Sequence, residues 1–140
     1  MQIQYINKIT EKIIGCAIEV HRHLGPGLLE AIYEKALCYE LDENHVIYER
    51  QVLIPVIYKG FNLGDSRIDL LVENEIIVEL KSVDKMYPLH EAQVLSYLKM
   101  AGKRLGLLIN FNLPVLKNGI KRIILSSSLC LCASAAELRF

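Results

Sequence analysis

The sequence predicts an α/β fold: a mixed β-sheet flanked by helices, with an αα-hairpin at its N-terminal end. Three observations predict it. Two helical apolar repeats joined by Gly-Pro-Gly come first. A block rich in β-branched and aromatic residues follows, and one helical segment then separates two strongly apolar strands. Hairpin-linked strands followed by a helical crossover require antiparallel and parallel neighbours in one sheet.

The elements follow in order. Ile6, Ile9, Ile13, Ala17, Val20 and Leu24 recur at spacings of three and four, which predicts an amphipathic helix from about residue 4 to 22. "HLGPG" ends it, since Gly25 and Gly27 supply unusual backbone angles and Pro26 stops helix continuation. A second helix is predicted from about Leu28 to Asn44, with Leu29, Ile32, Tyr33, Ala36, Leu37 and Leu41 on one side. "VIYERQVLIPVIYKG" reads as one long strand, with Pro55 marking a bulge or an edge position. "KGFNLG" carries turn chemistry. "SRIDLLVE" and "EIIVELKS" are strands around a tight turn at Asn74. Pro88 opens a helix bearing Leu89, Ala92, Val94, Leu95, Leu98 and Met100, and Gly102 closes it. "RLGLLINF" has the unbroken apolar character of a strand covered on both faces, and "GIKRIIL" is the final strand. Residues 1–126 are expected to form one domain. The tail, residues 127–140, has no clear period and is left unassigned.

At 140 residues, 52% hydrophobic and 23% charged, the chain can bury a real core. Its apolar runs are short and broken by charges, so no membrane-spanning helix is expected. The first twenty residues lack the continuous apolar centre and cleavage site of a secretory signal, and the expected location is the cytoplasm. Sixteen basic residues balance sixteen acidic ones, without the positive excess that marks a dedicated duplex binder. Cys16, Cys38, Cys130 and Cys132 show no CxxC spacing, and the first two fall in helical patterns as small apolar core residues. No Ser-His-Asp arrangement, phosphate-cradling glycine loop or dinucleotide fingerprint is present.

The chemistry concentrates in "DLLVENEIIVELKS", residues 69–82. If the turn centres on Asn74, residues whose numbers sum to 148 stand opposite one another, which makes Asp69 and Glu79 cross-strand neighbours with Cβ atoms about 5 Å apart. Lys81, two residues on, shares that face, whereas Leu70, Val78 and Leu80 point to the other. Two like charges so close repel, and a divalent cation reverses the sign of that argument. Mg²⁺ prefers hard oxygen ligands and uses one or two protein carboxylates, so Asp69, Glu79 and the backbone carbonyl of Leu80 form a candidate ligand set. Lys81 would then stand beside the ion, placed to assist a water or to stabilise charge on phosphorus oxygens. The competing account is an exposed salt-bridge triplet at a sheet edge, and the spacing alone supports both.

Further residues carry a resemblance. "RIDLLVENEIIVELKS" resembles the Asp…(Asp/Glu)-x-Lys core of the PD-(D/E)xK nuclease superfamily. "GLLEAIY", with Gly27, Glu30 and Tyr33, matches the GxxExxY signature of one small bacterial and archaeal branch. "HEAQVLSYLKMAGKRLGLLINF" is similar to the same branch, with Gln93 and Tyr97 as a QxxxY element. The likeness runs from about Ile9 to Leu125. Ile68 stands where the superfamily's name has Pro. The resemblance implies a restriction-endonuclease-like fold, with Asp69 and Glu79 as ligands of Mg²⁺ or Mn²⁺ and Lys81 as the catalytic lysine. It also implies that Glu30 is a further acidic group, direct or through water, and that Gln93 and Tyr97 together orient phosphate or ion.

Of the histidines, His21 lies in the resembling stretch and is the accessory candidate. His23 and His90 read as helix-end or surface residues. Tyr33 is expected to pack beneath Glu30. Lys85, Lys99, Lys103, Arg104, Lys121 and Arg122 are candidates for a phosphate-binding face, with solvated surface as the commoner account. Two functions follow: a metal-dependent nuclease acting on DNA, or a catalytically silent nuclease-like module for nucleic-acid or protein binding. A homodimer or a larger partner would offset the lack of basic surface. No membrane is expected as a partner.

Overall fold

A computed structural model describes residues 2–126 of the chain. Its elements are α1 (Gln2–Leu24), α2 (Glu30–Glu43), β1 (Tyr48–Tyr58), β2 (Phe61–Val72), β3 (Ile76–Lys81), α3 (Pro88–Ala101), β4 (Leu105–Asn110), a 3₁₀ turn (Leu116–Gly119) and β5 (Ile120–Ile124). The strands form one mixed sheet in the order β1-β2-β3-β4-β5. Only β3 and β4 run parallel, because α3 carries the chain back across the sheet between them. The α/β architecture expected from the sequence is present. The tail, with Cys130 and Cys132, lies outside the described residues.

The core divides between the two faces of the sheet. On one, Ile13, Ala17, Tyr33, Leu37 and Leu41 of the helical hairpin pack on Leu70, Val78, Leu80, Leu107 and Ile109. Cys16 and Cys38 are buried there as free thiols. On the other, Val94 and Leu98 of α3 pack on Ile68, Leu71, Ile77 and Leu108. Each fully buried aliphatic side chain contributes about 1.5–3 kcal/mol. Every residue of β4 is buried, which accounts for its unbroken apolar character. Gly106 lets α3 lie close to this strand, since a Cβ there would stand 2.7 Å from Val94 Cγ1.

Three boundaries differ from expectation. Helix α1 continues to Leu24. Helix α2 starts at Glu30 rather than Leu28, because Leu29 is extended (φ −75°, ψ 152°) as the chain climbs out of the Gly-Pro-Gly loop. Strand β2 begins at Phe61, not Ser66. The turn is two residues long: Lys59 (φ 48°) and Gly60 (φ 84°) are both left-handed, the backbone a two-residue hairpin favours. Phe61 and Asn62 therefore pair with Tyr58 and Ile57. Pro55 sits on the edge strand, and the register shifts between it and Ile57. Among the described residues no helix is long and apolar enough to cross a membrane.

Candidate active site

The site is built where β2 and β3 part. Leu70, Leu71 and Val72 pair with Val78, Ile77 and Ile76, so the pair sums are all 148. Glu73 (φ 53°) and Asn74 (φ 56°) make the turn. The next pair outward would be Asp69 and Glu79, and there the backbone ladder stops. The two carboxylates enter it instead. The Asp69 amide donates to Glu79 Oε2 at 2.8 Å, and the Leu80 amide donates to Asp69 Oδ2 at 2.8 Å. Each acidic side chain thus satisfies a backbone amide on or beside the other's strand, and each keeps a second oxygen.

Glu79 is only 4% exposed. Burial first, and the Asp69 charge second, push its carboxyl up to about 8, against the pull of the Asp69 amide and Lys81. Asp69 is also raised, mainly by burial, while the Leu80 amide, Lys81 and a hydrogen bond from the Gln51 side chain favour its charged form. Two desolvated carboxylates that repel each other are what a bound cation would relieve.

Lys81 forms no ion pair with either carboxylate among the described residues; its Nζ donates to Gln93 Oε1 at 3.3 Å. With Glu79 buried, the exposed salt-bridge triplet does not describe this site. Gln93 and Tyr97 lie one helical turn apart on α3. The Tyr97 hydroxyl is raised by burial, then by Glu79 and Asp69, and is pulled back by a hydrogen bond with Gln93. Gln93 thus reaches Lys81, and Tyr97 lies within the field of Glu79 and Asp69.

Glu30 opens α2 at the exposed rim. Loss of solvent raises its carboxyl, as do Asp69 and Glu34, while Lys81 and His90 lower it, so it stands within the field of the same group. Tyr33 does pack in the core, fully buried and stacked on Phe111 (centroids 4.4 Å apart). Its hydroxyl donates to the Gly25 carbonyl at 2.5 Å and accepts from the Leu28 amide at 3.1 Å. That clasp fixes the Gly-Pro-Gly loop, where Gly25 and Gly27 are left-handed. Ser82 Oγ donates to the Leu28 carbonyl at 2.5 Å and ties the loop to the end of β3. Buried Asn110 then pins the chain beyond β3: its side chain bonds both the amide and the carbonyl of Val83.

His21 is placed elsewhere. Its Nε2 lies 2.7 Å from the Leu113 carbonyl and its ring is tilted against Phe111. His23 pairs with Glu19 on the surface. His90 caps α3, its Nδ1 accepting from the Tyr87 amide at 3.0 Å. Of the basic candidates, Lys121 pairs with Glu91, Lys103 reaches Asn74, and Arg104 and Arg122 line a pocket with Glu75.

Sequence reasoning missed Glu34, Arg50 and Gln51. Glu34 is 7% exposed, and its Oε2 accepts from Arg50 Nε and Nη2, both at 2.9 Å. Its Oε1 accepts from Gln51 Nε2 at 2.8 Å. The one signal was spacing, because Glu34 lies a helical turn beyond Glu30.

Among the described residues no three His, Cys, Asp or Glu side chains converge into a ready cation cage. Asp69 and Glu79 offer hard oxygens. Leu80 adds a third: its amide points to β2, while the Lys81 carbonyl accepts from Phe111 on the β4 side, so the Leu80 carbonyl faces β2. Two carboxylates and a carbonyl fit an ion that keeps much of its water.

A family model described as the PD-(D/E)XK nuclease superfamily matches residues 7–123. Among solved structures, the crystal structure of SSO0001 is similar at 23% identity and a TM-score of 0.53, covering 75% of this chain and 55% of that one. An alkaline exonuclease (LHK-Exo) from Laribacter hongkongensis matches at 15% identity and a TM-score of 0.48, covering 69% of this chain and 56% of that one. The chain therefore spans little more than half the length of these structures. A search among curated proteins found no match.

Proposed function

Since the chain belongs to the PD-(D/E)XK nuclease superfamily, we propose that it is a divalent-metal-dependent phosphodiesterase of the GxxExxY branch that hydrolyses DNA in the cytoplasm. The observation that carries this reading is the reciprocal bonding of Asp69 and Glu79 beside Lys81. Nucleases of this superfamily generally use divalent metals. In this reading Asp69, Glu79 and the Leu80 carbonyl hold Mg²⁺ or Mn²⁺, and Glu30 acts from the rim through water. The ion, when bound, supplies Lewis-acid activation and charge neutralisation at the phosphate.

The remaining work falls to the chain. Gln93 orients the Lys81 ammonium. That ammonium hydrogen-bonds the attacking water and offsets charge on the phosphorus oxygens as the new P–O bond forms and the old one breaks. The attacking water gives up one proton to bulk solvent as it adds to phosphorus, and the departing oxygen takes one from solvent and leaves as an alcohol. Tyr97 steadies Gln93. His21 has a structural role at Leu113 in this account and no part in the chemistry.

The test is cleavage of end-labelled single- and double-stranded DNA in Mg²⁺ and in chelator. Wild type should cut only with the ion, and Glu79→Gln and Lys81→Ala should not cut. Metal-independent binding without cleavage would favour a silent binding module. Sedimentation of the protein on DNA would show whether a second copy completes the site.

A further inference from the structure

Residues 82–87 carry the chain from Lys81, at the end of β3, to the first turn of α3. The loop is held along its length. Ser82 Oγ donates to the Leu28 carbonyl, Asn110 bonds both main-chain groups of Val83, and Asn112 Nδ2 donates to Asp84 Oδ1 at 3.0 Å. Its last residue, Tyr87, is fixed too: its amide donates to His90 Nδ1, and its carbonyl accepts from the His90 amide at 2.9 Å. This tied main chain nevertheless presents a ring that is 54% exposed. Leu29, beside the residue that Ser82 holds, and Leu89, two residues beyond Tyr87, are exposed as well.

The ring continues the helix face that meets Lys81. His90, Gln93 and Tyr97 recur at spacings of three and four on one side of α3, and Gln93 accepts from Lys81 Nζ. The Tyr87 ring leans on that of His90, with centroids 6.0 Å apart and planes tilted by 51°. Tyr87 therefore stands about 9 Å from Gln93 along the helix axis, by the rise per residue. Over its ring lies the Lys85 ammonium, 5.6 Å from the centroid, with no carboxylate partner among the described residues.

A flat aromatic face beside an unpaired cation suits a nucleotide that offers a free base and a phosphate. A wholly apolar partner would strip water from Lys85 without compensation. A paired base is already stacked on its neighbours and cannot reach the ring unless it is extruded. We propose that Tyr87 is a stacking platform for one unpaired base of the substrate, with Lys85 on the adjoining phosphate. The proposal rests on the nuclease reading above and narrows its substrate to DNA that is single-stranded next to the cleavage site.

The probe is a short fluorescein-labelled single strand of DNA, followed by anisotropy in Mg²⁺. The protein is the full chain carrying Lys81→Ala, which should hold DNA without cutting it. Adding Tyr87→Ala should weaken binding about 10-fold or more, whereas Tyr87→Phe should bind as tightly as Tyr87. Tyr87→Leu keeps the apolar bulk without the π-face and should behave as Tyr87→Ala does. Should Tyr87→Ala fail to fold, the contrast between Tyr87→Phe and Tyr87→Leu decides. The same strand annealed to its complement should show no dependence on Tyr87. Deleting single bases from the strand should find one whose loss costs the Tyr87 chain as much as Tyr87→Ala, and costs the Tyr87→Ala chain nothing. Unchanged affinity in Tyr87→Ala and Tyr87→Leu, an equal loss in Tyr87→Phe, an equal dependence on the duplex, or no binding of single strands would each overturn the platform. Cleavage of duplex by wild type would then leave the nuclease reading standing. Ring-dependent binding of single strands by a wild type that cuts nothing would keep the platform and overturn the metal chemistry.

Discussion

Lys81 Nζ and Gln93 Oε1 meet at 3.3 Å across the gap between β3 and α3, so the Lys81 amine takes its direction from the crossover helix. If Lys81 acts at the transition state as proposed, Gln93→Ala should lower kcat by about 10-fold or more and change KM little, because the amide orients that group. Steady-state cleavage kinetics measure this split, and a loss confined to KM would contradict it.

The Glu79 carboxyl gives a pH signature. Its value rises from an ordinary 4.5 to about 8 on folding. A raised acid favours the folded state below the unfolded value, and that contribution disappears as pH climbs through the folded one. In chelator, stability should therefore fall between about pH 4.5 and 8, by on the order of 4 kcal/mol from this group. Thermal melts across that range should show the slope, and Glu79→Gln should flatten it while raising the melting temperature at pH 8.

Divalent ions should act in the opposite direction over the same window. Binding requires Glu79 ionised, so Mn²⁺ should release a proton below about pH 8, and its affinity should strengthen as pH rises towards that value. Calorimetry in buffers of different ionisation enthalpy counts the proton. A pH-independent affinity would be incompatible with Glu79 as a ligand.

Tyr33→Phe keeps the stack on Phe111 and deletes the clasp on Gly25 and Leu28. The expected cost is about 1–3 kcal/mol, because the Leu28 amide loses its partner. Hydrogen exchange should quicken at Leu28 well before it does in β4.

Gly106→Ala should destabilise the fold by about 1–3 kcal/mol, since the new methyl meets Val94 Cγ1 and sits 3.4 Å from the Ile77 carbonyl. Adding Val94→Ala should recover part of that loss in a double-mutant cycle.

Much of this was legible in the chain. The β2–β3 register followed from period-two patterning around one turn, and register alone brought Asp69 opposite Glu79. Gln93 and Tyr97 were readable through the resemblance of their QxxxY stretch, and their spacing of four put them on one face of α3. The start of β2 was not, because Asn62 and Gly64 look like loop residues while pairing depends on the two-residue turn before them. Position counting also treats opposed residues as a ladder pair; it cannot see side-chain oxygens taking the place of backbone carbonyls at Asp69 and Glu79. Glu34 and Gln51 were hidden for another reason. They are seventeen residues apart and meet only once α2 has docked on the sheet.

Because two main-chain amides depend on the Asp69 and Glu79 carboxylates, loss of either acid cannot be structurally silent. A descendant that replaced either acid with an apolar residue would leave a main-chain amide between β2 and β3 without its partner. Surviving inactive forms should therefore carry amides, not aliphatics, at these two places.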